Sequence, residues 1–258
     1  MTDQPGSTSQ KQQPSKERIK GVFSTQILSK VGTGTTMRKT IQKSYWFANE
    51  LDDQTIEIQP LNVNYVPSGP KNIIPKDEFL DKFSPEPEFY TVTVMPKMRE
   101  LEKTVARGDR HRKRGETYSA ELEYGNAIKV DEENVRANFG LGLTYLERGN
   151  TDKAQDIFER LVKIEAAYEP EHKHLFNEFG ISLRKNKMID QALAYYARAL
   201  ELSDNDENLY CNIARLYLEH KDIPNTLEML RKALEINPDM PEANKFMAFL
   251  KNKGLVAS

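Results

Sequence analysis

A mainly α fold of stacked helical hairpins, preceded by a small β-containing module or arm, is predicted by three features of this 258-residue sequence. Small residues recur at Gly108, Gly142, Gly180 and Ala214, at separations of 34, 38 and 34 residues. Each is followed at fixed offsets by Ala120, Ala154, Ala192 and Thr226, and then by the bulky Tyr124, Phe158, Tyr196 and Leu230. Paired helices that cross closely at small positions and fill the space beside them with large side chains carry this pattern. The third feature is a contrast: the first hundred residues hold segments rich in β-branched and aromatic residues instead.

Taken in order, residues 1–18 are rich in Gln, Ser, Pro and Lys and read as a disordered tail. Ile19, Val22, Phe23, Ile27, Leu28 and Val31 are enough for a segment that docks on something, read as briefly helical. The run from Lys30 to Lys39, KVGTGTTMRK, has the glycines of a phosphate loop but not its Gly-Lys-Ser/Thr ending, so it reads as a turn. TIQKSYWFANE and TIEIQPLNVNYV read as two strands joined by a turn at Leu51-Asp52-Asp53-Gln54. Two strands alone are marginal, so Tyr45, Trp46, Phe47, Ile56 and Ile58 require a third surface, from the repeat helices or from a second subunit. Pro75 through Phe83 reads as a short helix with Phe79, Leu80 and Phe83 on one side, and FYTVTV after Pro85 and Pro87 as extended. Residues 19–96 thus form an aromatic β-rich module or arm.

The second half, residues 97–258, divides into four helix pairs at about 101–134, 135–172, 173–206 and 207–240, with a capping helix at 241–253 carrying Ala243, Phe246, Met247 and Leu250. The order Leu141-Gly142, Tyr145, Ala154, Phe158 and Ala166 returns as Phe179-Gly180, Ala192, Tyr196 and Ala199. It returns again as Ile213-Ala214, Tyr217, Leu230, Ala233 and Pro238. In these residues the sequence resembles the tetratricopeptide repeat family over about residues 101–240. The resemblance implies a right-handed superhelix of helix pairs whose inner groove receives peptides or partner helices. Four extra residues fall around EAAYEPEHKH, between the second and third units, and lengthen a helix end or a loop. Arg107 and His111 replace the apolar residues expected beside Gly108, as the exposed face of a terminal repeat allows.

The family geometry assigns groove positions to residues of the first helix of each pair. They are Phe139, Leu143 and Leu146 in the second unit; His174, Asn177, Ile181 and Arg184 in the third; and Asn208, Cys211, Asn212 and Arg215 in the fourth. The expected groove is apolar at one end and lined with amides and guanidinium groups at the other, which suits hydrophobic anchors and carboxylate or backbone groups of a peptide. The lysine, asparagine and arginine arrangement by which some members bind chain-terminal carboxylates is not reproduced, since Phe139 and Leu143 hold the early positions. The run Arg107, Arg110, Arg112, Lys113 and Arg114 is a candidate anion contact, although at 100° per residue it spreads around its helix and acidic neighbours offset it.

The net charge of −2 argues against wholesale nucleic-acid binding. A single cysteine excludes an intramolecular disulfide, and the absence of a long apolar run argues against a membrane span. With no signal-peptide pattern, a cytoplasmic location is the expectation. His172 and His174 lack the same-face spacing of a helical zinc site, and no acid–base or nucleophilic constellation stands out. No cofactor or metal is expected. The reading is a non-enzymatic protein–protein interaction adaptor or scaffold with a protein or peptide partner. The alternatives are a nucleic-acid-associated protein using the basic run and a protein that self-associates through its N-terminal arm.

Overall fold

The computed structural model describes residues 18–31, 38–202 and 206–255, with the backbone alone at 27–31 and 38–42. The expected tail before residue 18 and the centre of the KVGTGTTMRK turn lie outside the described residues. The chain forms two compact units: residues up to Leu61 with Lys71–Val94, and Asn62–Pro70 with everything from Met95 onward.

In the first unit, β1 (Lys20–Val31) and β2 (Arg38–Glu50) pair antiparallel, Lys20 opposite Asn49 and Val31 opposite Arg38. The segment expected to dock as a helix is therefore a strand. Its apolar residues do not alternate because both faces of the sheet are covered. On one face Phe23 meets Phe79 with ring centroids 4.7 Å apart, and Trp46 meets Phe83 at 6.1 Å. On the other, Tyr45 meets Phe89 at 4.5 Å and Phe47 meets Tyr90 at 6.0 Å. The expected turn joins β2 to β3 (Thr55–Pro60): Leu51 N donates to Thr55 O at 2.9 Å, and Asp53 Oδ1 accepts from Thr55 N at 2.9 Å. β4 (Asn72–Pro75) adds to β3 and β5 (Ser84–Pro85) to β1, giving the antiparallel order β4-β3-β2-β1-β5.

The third surface that the aromatics require is supplied within this unit. Helix α1 (Lys76–Lys82) follows Pro75 as expected and sends Phe79 into the cluster of Ala48, Ile56 and Ile58. Leu80, however, is exposed. FYTVTV is not extended: α2 (Pro87–Phe89) runs into a single π-helical turn, Tyr90–Val94. Pro87 provides a pre-set start, and Thr91 Oγ1 donates back to Pro87 O at 3.0 Å, so a β-branched residue is held in helical backbone.

The helical unit is a run of hairpins: α3 (Met95–Lys113) with α4 (Thr117–Val130), α5 (Val135–Glu147) with α6 (Thr151–Leu161), α7 (Lys173–Lys185) with α8 (Ile189–Leu202), and α9 (Glu207–Glu219) with α10 (Ile223–Ile236), ending in α11 (Pro241–Asn252). The extra residues form two short 3-10 turns, Glu165–Tyr168 and Pro170–His172. A Cβ on Gly108 would lie 2.7 Å from the Tyr124 ring, and one on Gly180 would collide with Tyr196, so these pairs meet at the same crossing. At Gly142 the near neighbour is Phe179 of the next repeat, where a Cβ would lie 2.6 Å from the ring. Ala214 is fully buried in a cluster with Leu230. Thr226, where alanine is usual, is also fully buried, and its hydroxyl donates to Asp222 O at 2.6 Å.

Residues 62–70, expected in the leading module, pack with the helices. Val66 is fully buried in the helical core. The side-chain amides of Asn62 and Asn64 donate to Val130 O at 2.8 and 2.9 Å, at the carbonyl end of α4, and Ser68 Oγ donates to Asp131 Oδ1 at 2.6 Å.

Candidate binding surface on the first helices of the repeats

Successive first helices meet through polar pairs at one repeated offset. Asn212 Nδ2 on α9 donates to Asn177 Oδ1 on α7 at 3.5 Å, a long contact, and the Arg215 guanidinium donates to Asn212 Oδ1 at 2.9 Å. Arg112 on α3 donates to Glu147 on α5 at 2.8 Å, and Arg184 on α7 pairs with Glu219 on α9. The members of each cross-helix pair are 35 residues apart, one more than the 34-residue repeat, so each residue meets the one just past its equivalent in the next repeat. Arg112 reaches further, to Glu178 Oε1 on α7 at 2.9 Å. Burial acts to lower its pKa, but the carboxylates of Glu178 and Glu147 outweigh that and hold the guanidinium firmly charged.

The expected polar end of the surface is thus assembled from α7 and α9. Asn177, Ile181, Arg184, Asn212 and Arg215 are half-buried, while His174 and Asn208 are exposed. Arg184 is committed to Glu219, but Arg215 has no ion pair among the described residues.

The expected apolar end is different. Phe139, Leu143 and Leu146 are 0, 1 and 3% exposed and belong to the core. Phe139 lies 5.8 Å from Phe179 and 6.5 Å from Tyr195, ring to ring, so α7 and α8 of the next repeat cover it. The reach of Arg112 from α3 to α7 shows how closely the first helices converge there. Cys211 is 1% exposed, clustered with Met240, Ala243 and Leu250; α11 covers this position, and burial pushes the thiol pKa up.

The basic run is also divided by its partners. Arg107 is bound to Glu123 at 3.1 Å and to Thr104 at 2.9 Å, and Arg112 to two carboxylates. Only Arg110, Lys113 and Arg114 of the candidate anion contact stand exposed without an ion pair among the described residues. Sequence reasoning missed Glu147, Glu178 and Glu219 as partners. The recurrence of opposite charges at an offset of 35 was the signal for the first and the last. Among the described residues no group of three or more His, Cys, Asp or Glu side chains is placed to hold a metal ion, and no helix is long and apolar enough to cross a membrane.

Tetratricopeptide repeat family models match residues 105–172 and 207–240. Residues 105–172 and 207–240 of this chain thus carry tetratricopeptide repeats. The third pair, between the two matches, has the same hairpin and the same Gly180–Tyr196 crossing. Over 137 residues the chain is 28% identical to anaphase-promoting complex subunit 3 of Schizosaccharomyces pombe, covering 53% of this chain and 20% of that protein. Over 111 residues it is 32% identical to the photosystem I assembly protein Ycf3 of Prochlorococcus marinus, covering 41% of this chain and 60% of that one. The crystal structure of MamA aligns at 20% identity over 60% of this chain and 83% of the other, with a TM-score of 0.47. The chain therefore spans only part of the curated relatives it matches. The tetratricopeptide repeat matches support a protein-interaction adaptor or scaffold.

Proposed function

We propose that the third and fourth repeats bind an extended peptide of a partner protein, held by Asn177, Asn212 and Arg215 with His174, Ile181 and Asn208 beside them. One observation carries this reading. An arginine without a carboxylate partner among the described residues is held in place by an asparagine, which in turn touches a second asparagine on the neighbouring helix. Each amide offers both a donor and an acceptor, the combination that an extended peptide backbone requires, and the guanidinium suits a peptide carboxylate. The burial of Phe139, Leu143 and Leu146 confines the proposed surface to α7 and α9. The chain then acts as a non-enzymatic adaptor, in keeping with its repeats.

The test is selection of peptides by display on the intact chain, followed by affinity measurement against variants. Arg215→Ala and the Asn177→Ala/Asn212→Ala pair are expected to weaken selected peptides by about tenfold or more, with unchanged helical content. The Arg215 contribution should shrink as salt rises. Peptides that bind all three proteins equally would rule this surface out.

A further inference from the structure

We propose that the four-residue insertion between the second and third repeats builds a pocket for one apolar side chain of the bound peptide. This rests on the peptide reading above and adds an anchor to it. The 3-10 turns of the insertion bring Tyr168 and Pro170 against Phe176 of α7, Ala199 of α8 and Leu209 of α9, around a cavity of about 130 Å³. A dry cavity of about 150 Å³ accommodates benzene, so this one is the size of a phenyl or isobutyl group. The other repeats are spaced at 34 residues rather than 38 and carry no such insertion.

Three features select the occupant. The cavity is bordered by Lys173 and Asp206, whose charged groups lie 2.7 Å apart and neutralise each other, so a charged side chain finds no free counter-ion there. Tyr168 and Phe176 line the cavity, and aromatic rings suit an apolar occupant. The pocket also lies one helical turn before the Asn177–Asn212 contact on the same two helices, since its lining residues Lys173 and Leu209 precede Asn177 and Asn212 by four and three residues. Tyr195 stiffens the wall: its ring stacks on Phe176 at 4.4 Å and lies 5.7 Å from Tyr168.

The experiment uses the full chain with methyl labels on Ala199 and Leu209 and toluene, the phenylalanine side-chain analogue, as the probe. Saturable shifts confined to these methyls are expected. They should persist in Arg215→Ala and, read at Leu209, need about tenfold more toluene in Ala199→Leu, which places in the third repeat the residue that the second carries as Leu161. Shifts in the unaltered chain that are unsaturable or spread over the molecule would overturn the pocket whatever the variants do. For display-selected peptides that depend on Arg215, one apolar position should lose about tenfold on alanine replacement in the unaltered chain and little in Ala199→Leu. Peptides that depend on Arg215 but have no such position would sink the anchor and leave the polar surface standing. Peptides indifferent to Arg215 would sink the earlier reading instead.

Discussion

At every hairpin turn of the repeats one residue lies in the left-handed backbone region: Gly115 at φ +74°, Gly149 at +67°, Lys187 at +64° and Lys221 at +61°. They are separated by 34, 38 and 34 residues, the same period as the small crossing positions. The turn therefore requires this conformation, and glycine meets the requirement without strain in only two of the four. A Cβ on Gly149 would meet nothing within 4 Å, so Gly149→Ala tests the backbone term without a clash. It should lower stability by roughly 1 kcal/mol in denaturant titration. An unchanged midpoint would show that the α5–α6 turn relaxes freely. The crossing glycines differ in kind, because Gly108 and Gly180 face aromatic rings directly and any side chain there displaces them.

Among the elements, the segment Asn62–Pro70 has a role out of proportion to its length. Its two asparagine amides satisfy carbonyls at the end of α4, and Asn62 Oδ1 accepts from the backbone of Asn64 at 2.9 Å and Val66 at 3.2 Å, holding the turn that inserts Val66. A first repeat has no preceding neighbour, and this segment covers part of what would otherwise be bare. Replacing both Asn62 and Asn64 with alanine removes the donors to Val130 O. It is expected to cost about 1–3 kcal/mol and to speed amide exchange in α3 and α4 ahead of α7 and α8. Uniform exchange across the repeats would mean that the segment merely rests on the surface. The Arg112 contacts to Glu147 and Glu178 tie α3, α5 and α7 together in a comparable way.

For the molecule as a whole, the β unit and the helical unit each have their own core, and the helical one is covered at its two ends by different means. Asn62–Pro70 lies on the first repeat, while α11 closes the last through Met240, Ala243 and Leu250. Cys211 is the sole cysteine and belongs to that closing cluster, so its chemistry reports whether α11 is docked. Leu250→Asp should loosen α11 and raise the rate of Cys211 labelling by a thiol reagent by about tenfold or more, without abolishing the helical signal. Equal labelling rates in the two proteins would show that something other than α11 shields the thiol.

The amino-acid sequence by itself determined the mainly helical repeat fold and the tight crossings at Gly108 and Gly180, because a helix pair is a local structure and its period is carried by neighbouring residues. It also placed Asn177, Asn212 and Arg215 on the first helices of adjacent repeats, where the structure brings them into contact. The strand at Lys20–Val31 escaped it because a sheet covered on both faces erases the alternation by which strands are recognised. Only the tertiary structure decided that Phe139, Leu143 and Leu146 are core and that Cys211 is covered. Those outcomes depend on how closely α7, α8 and α11 approach, a matter of long-range packing to which no single repeat gives access.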